Sequence, residues 1–440
     1  MQQHHPSARQ TAMKRIAIPA ASAGFIFLGI SLASLGSPPL DEKLPPMESS
    51  GTVKQQPAEQ RGAYLARIGN CMGCHTAQGG KPYAGGHSLD TPIGTFITPN
   101  ITPDQDTGIG LWNEDDFWRA LHEGKGRNGT ALYPAFPYTE YTKITREDSN
   151  AIFAYLRSLP PVQQRNPPSR IRFPFNLRPL IYVWRALYFE EGVYRPQTAK
   201  SEEWNRGAYL VQGLGHCNAC HTARNPIGAS QSESLGGGQI MGSNWYAPSL
   251  TSLQEASTSD WSIQEIAQLL TTGMSSRAAT TGPMADVVSQ SLQYLTDEDA
   301  HGMAVYLQSL PGTAPHSRGV APELTEEVDE QLRQGGKIYE TYCQDCHGSF
   351  GQGSPGAYPP LAENRSIILA NAVNPIRSIL YGGYAPVTKT QPRPYGMPPF
   401  SQILHDKEVA LVLSYIRNAW GNRGSLVTTV QVDKSRKGAQ

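Results

Sequence analysis

Every cysteine in the chain sits in the same five-residue pattern. Cys71-Met72-Gly73-Cys74-His75, Cys217-Asn218-Ala219-Cys220-His221 and Cys343-Gln344-Asp345-Cys346-His347 use all six, with none left over. The surroundings repeat as well. Arg61-Gly62-Ala63-Tyr64-Leu65 leads into the first motif, and Arg206-Gly207-Ala208-Tyr209-Leu210 into the second. A diverged copy, Gly335-Gly336-Lys337-Ile338-Tyr339, leads into the third. The first two units close alike, on Tyr155-Leu156-Arg157-Ser158-Leu159-Pro160 and Tyr306-Leu307-Gln308-Ser309-Leu310-Pro311; the third closes over 409–420. Thr145 with Asp148, and Thr296 with Asp299, have the spacing of a helix cap, and Ile152, Tyr155, Leu156 and Leu159 share a helical face. A fold for this chain therefore presents one helix–loop–helix unit three times.

Two thiols on one turn, with histidine next, suit covalent haem: each thiol takes a vinyl group and the histidine binds iron. Cys71, Cys74, Cys217, Cys220, Cys343 and Cys346 are the predicted attachment residues, and His75, His221 and His347 the proximal ligands. The rival readings fit less well. A thioredoxin-like dithiol needs a βαβ setting, which is missing. A structural zinc site wants two such pairs close together, whereas these lie 146 and 126 residues apart. Plain disulfides would not require a neighbouring histidine three times.

An electron-carrying haem commonly takes methionine as its sixth ligand. Met284, 63 residues after His221, and Met397, 50 residues after His347, stand in Pro/Gly loops before the closing helices and are the predicted distal ligands. Met241, Met274 and Met303 are assigned to packing. The first unit departs from the rule. Its loop is Tyr133-Pro134-Ala135-Phe136-Pro137-Tyr138, and a phenyl ring cannot bind iron. Haem 1 is then five-coordinate or bound by another group. His87 and His122 are the candidates, against ordinary surface or hydrogen-bonding roles.

Lysine plus arginine and aspartate plus glutamate are both 37, so nothing supports nucleic-acid binding. With 43 glycines and 35 prolines, long loops are expected between the helices. Lys14 and Arg15 precede an uncharged run over 16–36, the pattern of an export signal or a membrane anchor. Either places the remainder outside the cytoplasm. Leu177, Leu180, Ile181, Trp184, Leu187 and Tyr188 fall on one face of a helix between units one and two. That helix either packs on its own haem domains or lies at a membrane or partner surface.

Taken together, the motifs make the sequence resemble the three-haem cytochrome c subunits of bacterial membrane-bound alcohol and aldehyde dehydrogenases, related to those of sugar and gluconate dehydrogenases. The stretches that narrow the family are Asn100-Ile101-Thr102-Pro103-Asp104, Trp245-Tyr246-Ala247-Pro248, Tyr294-Leu295-Thr296-Asp297 and the segments 206–222, 282–288, 397–400 and 408–422. The resemblance implies a mostly α fold of three tandem cytochrome c domains joined by proline-rich linkers. The expected division is signal or anchor plus linker at 1–57, domains at 58–165, 201–315 and 316–425, a linker with an amphipathic helix at 166–200, and a polar tail at 426–440. It implies an electron relay rather than a catalytic subunit, on the periplasmic side of the inner membrane. Electrons would pass from a separate dehydrogenase subunit to ubiquinone or a terminal oxidase. The Pro-Ala-Phe-Pro-Tyr segment favours a molybdenum–iron-sulfur partner over a quinoprotein or flavoprotein. The alternative is a stand-alone, peroxidase-like haem enzyme using an open haem 1.

Overall fold

The computed structural model describes residues 56–231, 234–312 and 321–438. The basic lead and the apolar run over 16–36 lie outside the described residues. Among the described residues, no helix is long and apolar enough to cross a membrane.

The first unit runs α1 (Ala58–Ile68), the one-turn α2 (Cys71–Cys74), a hairpin of β1 (Ser88–Thr91) and β2 (Gly94–Ile97), α3 (Glu114–Glu123), the short α4 (Tyr138–Tyr141) and α5 (Arg146–Ser158). The expected cap at the start of α5 is present, with Asp148 N–H donating to Thr145 Oγ1 at 3.2 Å. Leu159 and Pro160 follow its last turn and end it. Helices α1 and α5 cross in contact at Gly62. A Cβ built there would lie 1.8 Å from the Ala151 carbonyl oxygen. Tyr64, Leu65 and Ile68 on one helix and Ile152, Tyr155 and Leu156 on the other are buried.

The stretch expected to be a linker from residue 166 is instead partly woven into this unit. Strand β3 (Arg170–Ile171) adds to β2, with Gly94 opposite Ile171. Asn166 Nδ2 donates to the Ala84 carbonyl at 2.8 Å. Proline-rich extended chain has free carbonyls and amides, and side chains of the first unit collect them. The amphipathic helix follows as α6 (Pro179–Tyr188), of which only Ile181 and Trp184 are buried. Burial of the whole predicted face is not observed.

The second unit repeats the pattern: α7 (Glu202–Tyr209), α8 (Asn218–His221), the pair β4 (Gly238–Gln239) and β5 (Tyr246–Ala247), α9 (Ile263–Thr272), α10 (Pro283–Gln290) and α11 (Asp297–Gln308). Gly207 meets α11 as Gly62 meets α5, at 1.9 Å from the Gly302 carbonyl oxygen for an added Cβ. Ten residues separate Gly207 from Cys217, against nine from Gly62 to Cys71. The extra residue is absorbed where the helix widens into a π turn over Leu210–Leu214.

The third copy has α12 (Glu326–Tyr342), α13 (Gln344–His347), α14 (Val373–Tyr381), the pair β6 (Gly383–Tyr384) and β7 (Gly396–Met397), and α15 (Asp406–Ile416). Gly335 lies against Leu411 on α15 in the same manner. The expected polar tail is corrected by the structure. Residues Thr429–Lys437 form α16, opened by a capping box of Thr428 and Gln431. Val432 is fully buried, the Tyr381 hydroxyl donates to the Ser435 carbonyl at 3.1 Å, and Arg436 pairs with Asp406 at 2.8 Å. Two valines in a polar nonapeptide, only one of them buried, are too sparse a signal to read as a docked helix.

The third unit seats on the second. Asn374 and the backbone of Tyr246 exchange two hydrogen bonds at 2.7 and 2.9 Å, Arg365 pairs with Asp260, and the Arg377 guanidinium lies over the rings of Trp245 and Tyr381.

Candidate haem-attachment sites

Each cysteine motif folds as one helical turn closed by the same bond. The amide of His75, His221 or His347 donates to the carbonyl of Cys71, Cys217 or Cys343, at 2.9 Å in all three. Both thiols of a pair are thereby on one short turn, and none of the six is in a disulfide. Burial pushes the Cys71 and Cys217 thiols up to about 12 and that of Cys343 up to about 11. Such groups are protonated at neutral pH, in the state that adds across a vinyl group. Among the described residues no cluster of three or more His, Cys, Asp or Glu is placed to hold a metal ion.

The histidines show the more telling geometry. His75 Nδ1 donates to the Pro99 carbonyl at 2.8 Å, His221 Nδ1 to that of Pro248 at 2.8 Å, and His347 Nδ1 to that of Pro359 at 3.2 Å. A carbonyl accepts only, so Nδ1 carries the proton and Nε2 keeps its lone pair. This hydrogen bond orients an imidazole toward a metal. Burial lowers the pKa of all three rings, with the carbonyl bond acting against it, so each is a neutral imidazole fit to ligate. A haem held by the two cysteine thioethers of one turn, with iron at Nε2, fits these residues. The prolines were missed as site residues. Pro99 and Pro248 adjoin or lie within stretches that carry the family resemblance, but only the fold reveals which carbonyl faces the ring.

The predicted distal residues are placed unevenly. Met397 lies on β7 and is partly buried; it packs on the core around Tyr339 that Cys343 also borders. Met284 is the second residue of α10, and the preceding Gly282 lies against the Trp245 ring, where a Cβ would be 2.7 Å away. Phe136 packs on Tyr141 with ring centroids 5.5 Å apart. Tyr141 in turn is close enough to Cys71 and Cys74 that, after burial, their charges raise its pKa. Met303 is buried on α11, as a packing residue should be.

The two candidate histidines differ in their surroundings. His122 Nδ1 shares 2.8 Å with the Thr142 carbonyl, its Nε2 faces Glu191 at 3.4 Å, and its ring stacks on Trp118. His87 stands near enough to His75 for its charge to lower the His75 pKa, after burial.

The first two sites adjoin one another. Cys220 is near enough to Cys74 to raise its pKa, and the Gly73 position lies 2.4 Å from Gln290 Oε1 for an added Cβ.

Three thiol pairs on identical turns, each followed by a carbonyl-oriented imidazole, define a cytochrome. The cytochrome c family model matches residues 59–160 and 332–420. The chain is 35% identical over 391 residues to the cytochrome c subunit of the quinone alcohol dehydrogenase of Gluconacetobacter polyoxogenes, covering 86% of this chain and 84% of that one. It is 36% identical to the gluconate 2-dehydrogenase cytochrome c subunit of Pantoea cypripedii, over 84% and 88% of the two chains. It is also 42% identical to a nicotinate dehydrogenase subunit of Pseudomonas putida over 82% of this chain, but it spans only 30% of that longer protein. The chain belongs to the family of cytochrome c subunits of alcohol, fructose and gluconate dehydrogenases, and electron transfer through covalently bound haem is what that family does.

Proposed function

We propose that the chain holds three haems and relays electrons, one at a time, from a catalytic dehydrogenase subunit toward ubiquinone or a terminal oxidase, on the periplasmic side of the bacterial inner membrane. The observation that carries the count of three is the recurrence of the His–Pro carbonyl bond in all three motifs. The unit between 201 and 315 lies outside the matched family segments, yet has the same turn, the same bond and the same helix crossing as the first. His75, His221 and His347 would hold iron on one side, and Met284 and Met397 on the other at the second and third sites. When bound, haem supplies one-electron Fe(III)/Fe(II) cycling.

The chain's own residues do the remainder. Neutral thiols on a fixed turn hold the group covalently, buried imidazoles keep a lone pair aimed inward, and the packed helices exclude water. The Phe136 segment supports a molybdenum–iron-sulfur catalytic partner ahead of a quinoprotein or flavoprotein. The uncharged run over 16–36 supports export and attachment to the membrane. Intact-mass analysis of the matured chain tests the count: three haem additions are expected, and fewer would overturn it. Purification of the native complex with cofactor analysis of its large subunit tests the partner.

A further inference from the structure

Among the described residues, nothing covers the outward apolar face of helix α6. Leu180, Val183 and Leu187 form one stripe along it, with Val183 56% and Leu187 67% exposed. Tyr182 and Tyr188 flank the stripe, and Phe173, just before the helix, is 77% exposed. Its one charged residue, Arg185, is turned inward over the rings of Tyr138 and Phe189. The outward face of α6 thus carries no charge.

The charges that precede it are of one sign, and the exposed pair Glu190 and Glu191 follows its last turn. Between residues 149 and 189 the chain has six arginines and no aspartate or glutamate, within a protein whose total is balanced at 37 each. Arg165, Arg170, Arg172 and Arg178 are exposed in that stretch. Arg178 also lines, with Thr130, Ala131, Pro179 and Tyr182, a cavity of about 300 Å³ at the start of the helix. A solvated helix would mix charges on its outer face. A protein partner that buried this face would be matched by apolar groups with acids at its rim. A lipid surface matches both parts at once: acyl chains meet Leu180, Val183 and Leu187, and phosphates meet the surrounding guanidiniums.

We infer that the α6 face docks on an anionic phospholipid bilayer, the stripe entering the acyl boundary and the arginines meeting headgroup phosphates. The inference adds a second contact to the membrane attachment in the relay reading, and rests on that reading only for the presence of a membrane. Hydroxyl-radical footprinting of the full chain tests it, using phosphatidylglycerol vesicles and phosphatidylcholine vesicles in parallel. The readout is local, so binding through residues 16–36 does not obscure it.

Oxidation of Phe173, Tyr182 and Leu187 is expected to fall several-fold on phosphatidylglycerol and less on phosphatidylcholine. Val183→Asp with Leu187→Asp should abolish the protection with an unchanged haem spectrum, since both side chains are exposed. Arg170→Gln and Arg172→Gln should each weaken the phosphatidylglycerol effect about fivefold. Unprotected residues on both vesicles would overturn the inference. So would protection by the purified catalytic subunit alone, which would make the face a protein interface. Equal protection on the two lipids would overturn the role of the arginines. None of these outcomes bears on the haem count, so the relay reading stands or falls separately.

Discussion

The Tyr64 hydroxyl donates to Asp299 Oδ2 at 2.6 Å, across 235 residues of sequence. The same bond runs the other way, from Tyr209 to Asp148 Oδ2 at 2.5 Å. Each aspartate also holds the arginine of its own unit, Arg61 with Asp148 and Arg206 with Asp299. Each tyrosine closes the exchange by accepting the amide of the partner unit's cap, Thr296 or Thr145. The first two units therefore recognise each other through a motif that both contain, as two copies of one surface do in a symmetric dimer. The third unit has Gln334 and Lys337 where the others have arginine and tyrosine around the packed glycine, and it attaches elsewhere on the second.

This exchange sets the first prediction. Tyr64→Phe removes a buried hydrogen bond to a carboxylate and is expected to cost about 2 kcal/mol. Tyr209→Phe should cost about as much. A double-mutant cycle of Tyr64→Phe with Asp299→Asn, read by urea unfolding of the haem-loaded chain, should show strong coupling. Additive losses would mean that the bond contributes little.

The glycine crossings give the second. Gly62→Ala, Gly207→Ala and Gly335→Ala each push a methyl group into the backbone of the facing helix, at 1.8, 1.9 and 2.2 Å from a carbonyl oxygen. Each is expected to lower stability by about 3 kcal/mol, seen as a lower thermal midpoint. Gly192→Ala, whose added methyl meets nothing within 4 Å, is the control and should leave the midpoint in place.

Acid titration provides the third. Hydrogen bonds from the Ser262 amide, Ser276 and the Ser262 hydroxyl hold the Glu265 carboxyl down at about 2. A carboxyl depressed in the folded chain adds stability above its unfolded pKa and loses it as the pH falls toward the folded value. The wild type should exceed Glu265→Gln by about 0.5 kcal/mol near neutrality, a small figure because the group is at the surface. The gap should close between pH 4.5 and about 2, measured by thermal melts across that range. A gap undiminished from neutrality down to pH 2 would contradict the assignment.

Phe136 is the subject of the fourth. It stands just before α4, packed on Tyr141, which neighbours the first thiol pair. Phe136→Met should give the ferric first haem a methionine-to-iron charge-transfer band and raise its potential. An unchanged spectrum would mean that the loop does not cover that haem or that the site is already fully ligated.

The turns that carry the thiols were legible in local pattern. Thiol spacing and the adjacent histidine are properties of one helical turn, so Cys71, Cys74 and His75 and their two repeats could be read directly, as could the caps at Thr145 and Thr296. Packing was not legible, because it depends on residues far apart in the chain. Which carbonyl orients His75, why Gly62 must be glycine, and that Tyr64 belongs to Asp299 each require a second segment brought within a few ångströms. The same holds for α16, where one buried valine and the bonds of Tyr381 and Arg436 do what no hydrophobic period announced. Helix α6 is the reverse case: its periodicity left packing and an outward surface both open, and among the described residues only Ile181 and Trp184 are buried.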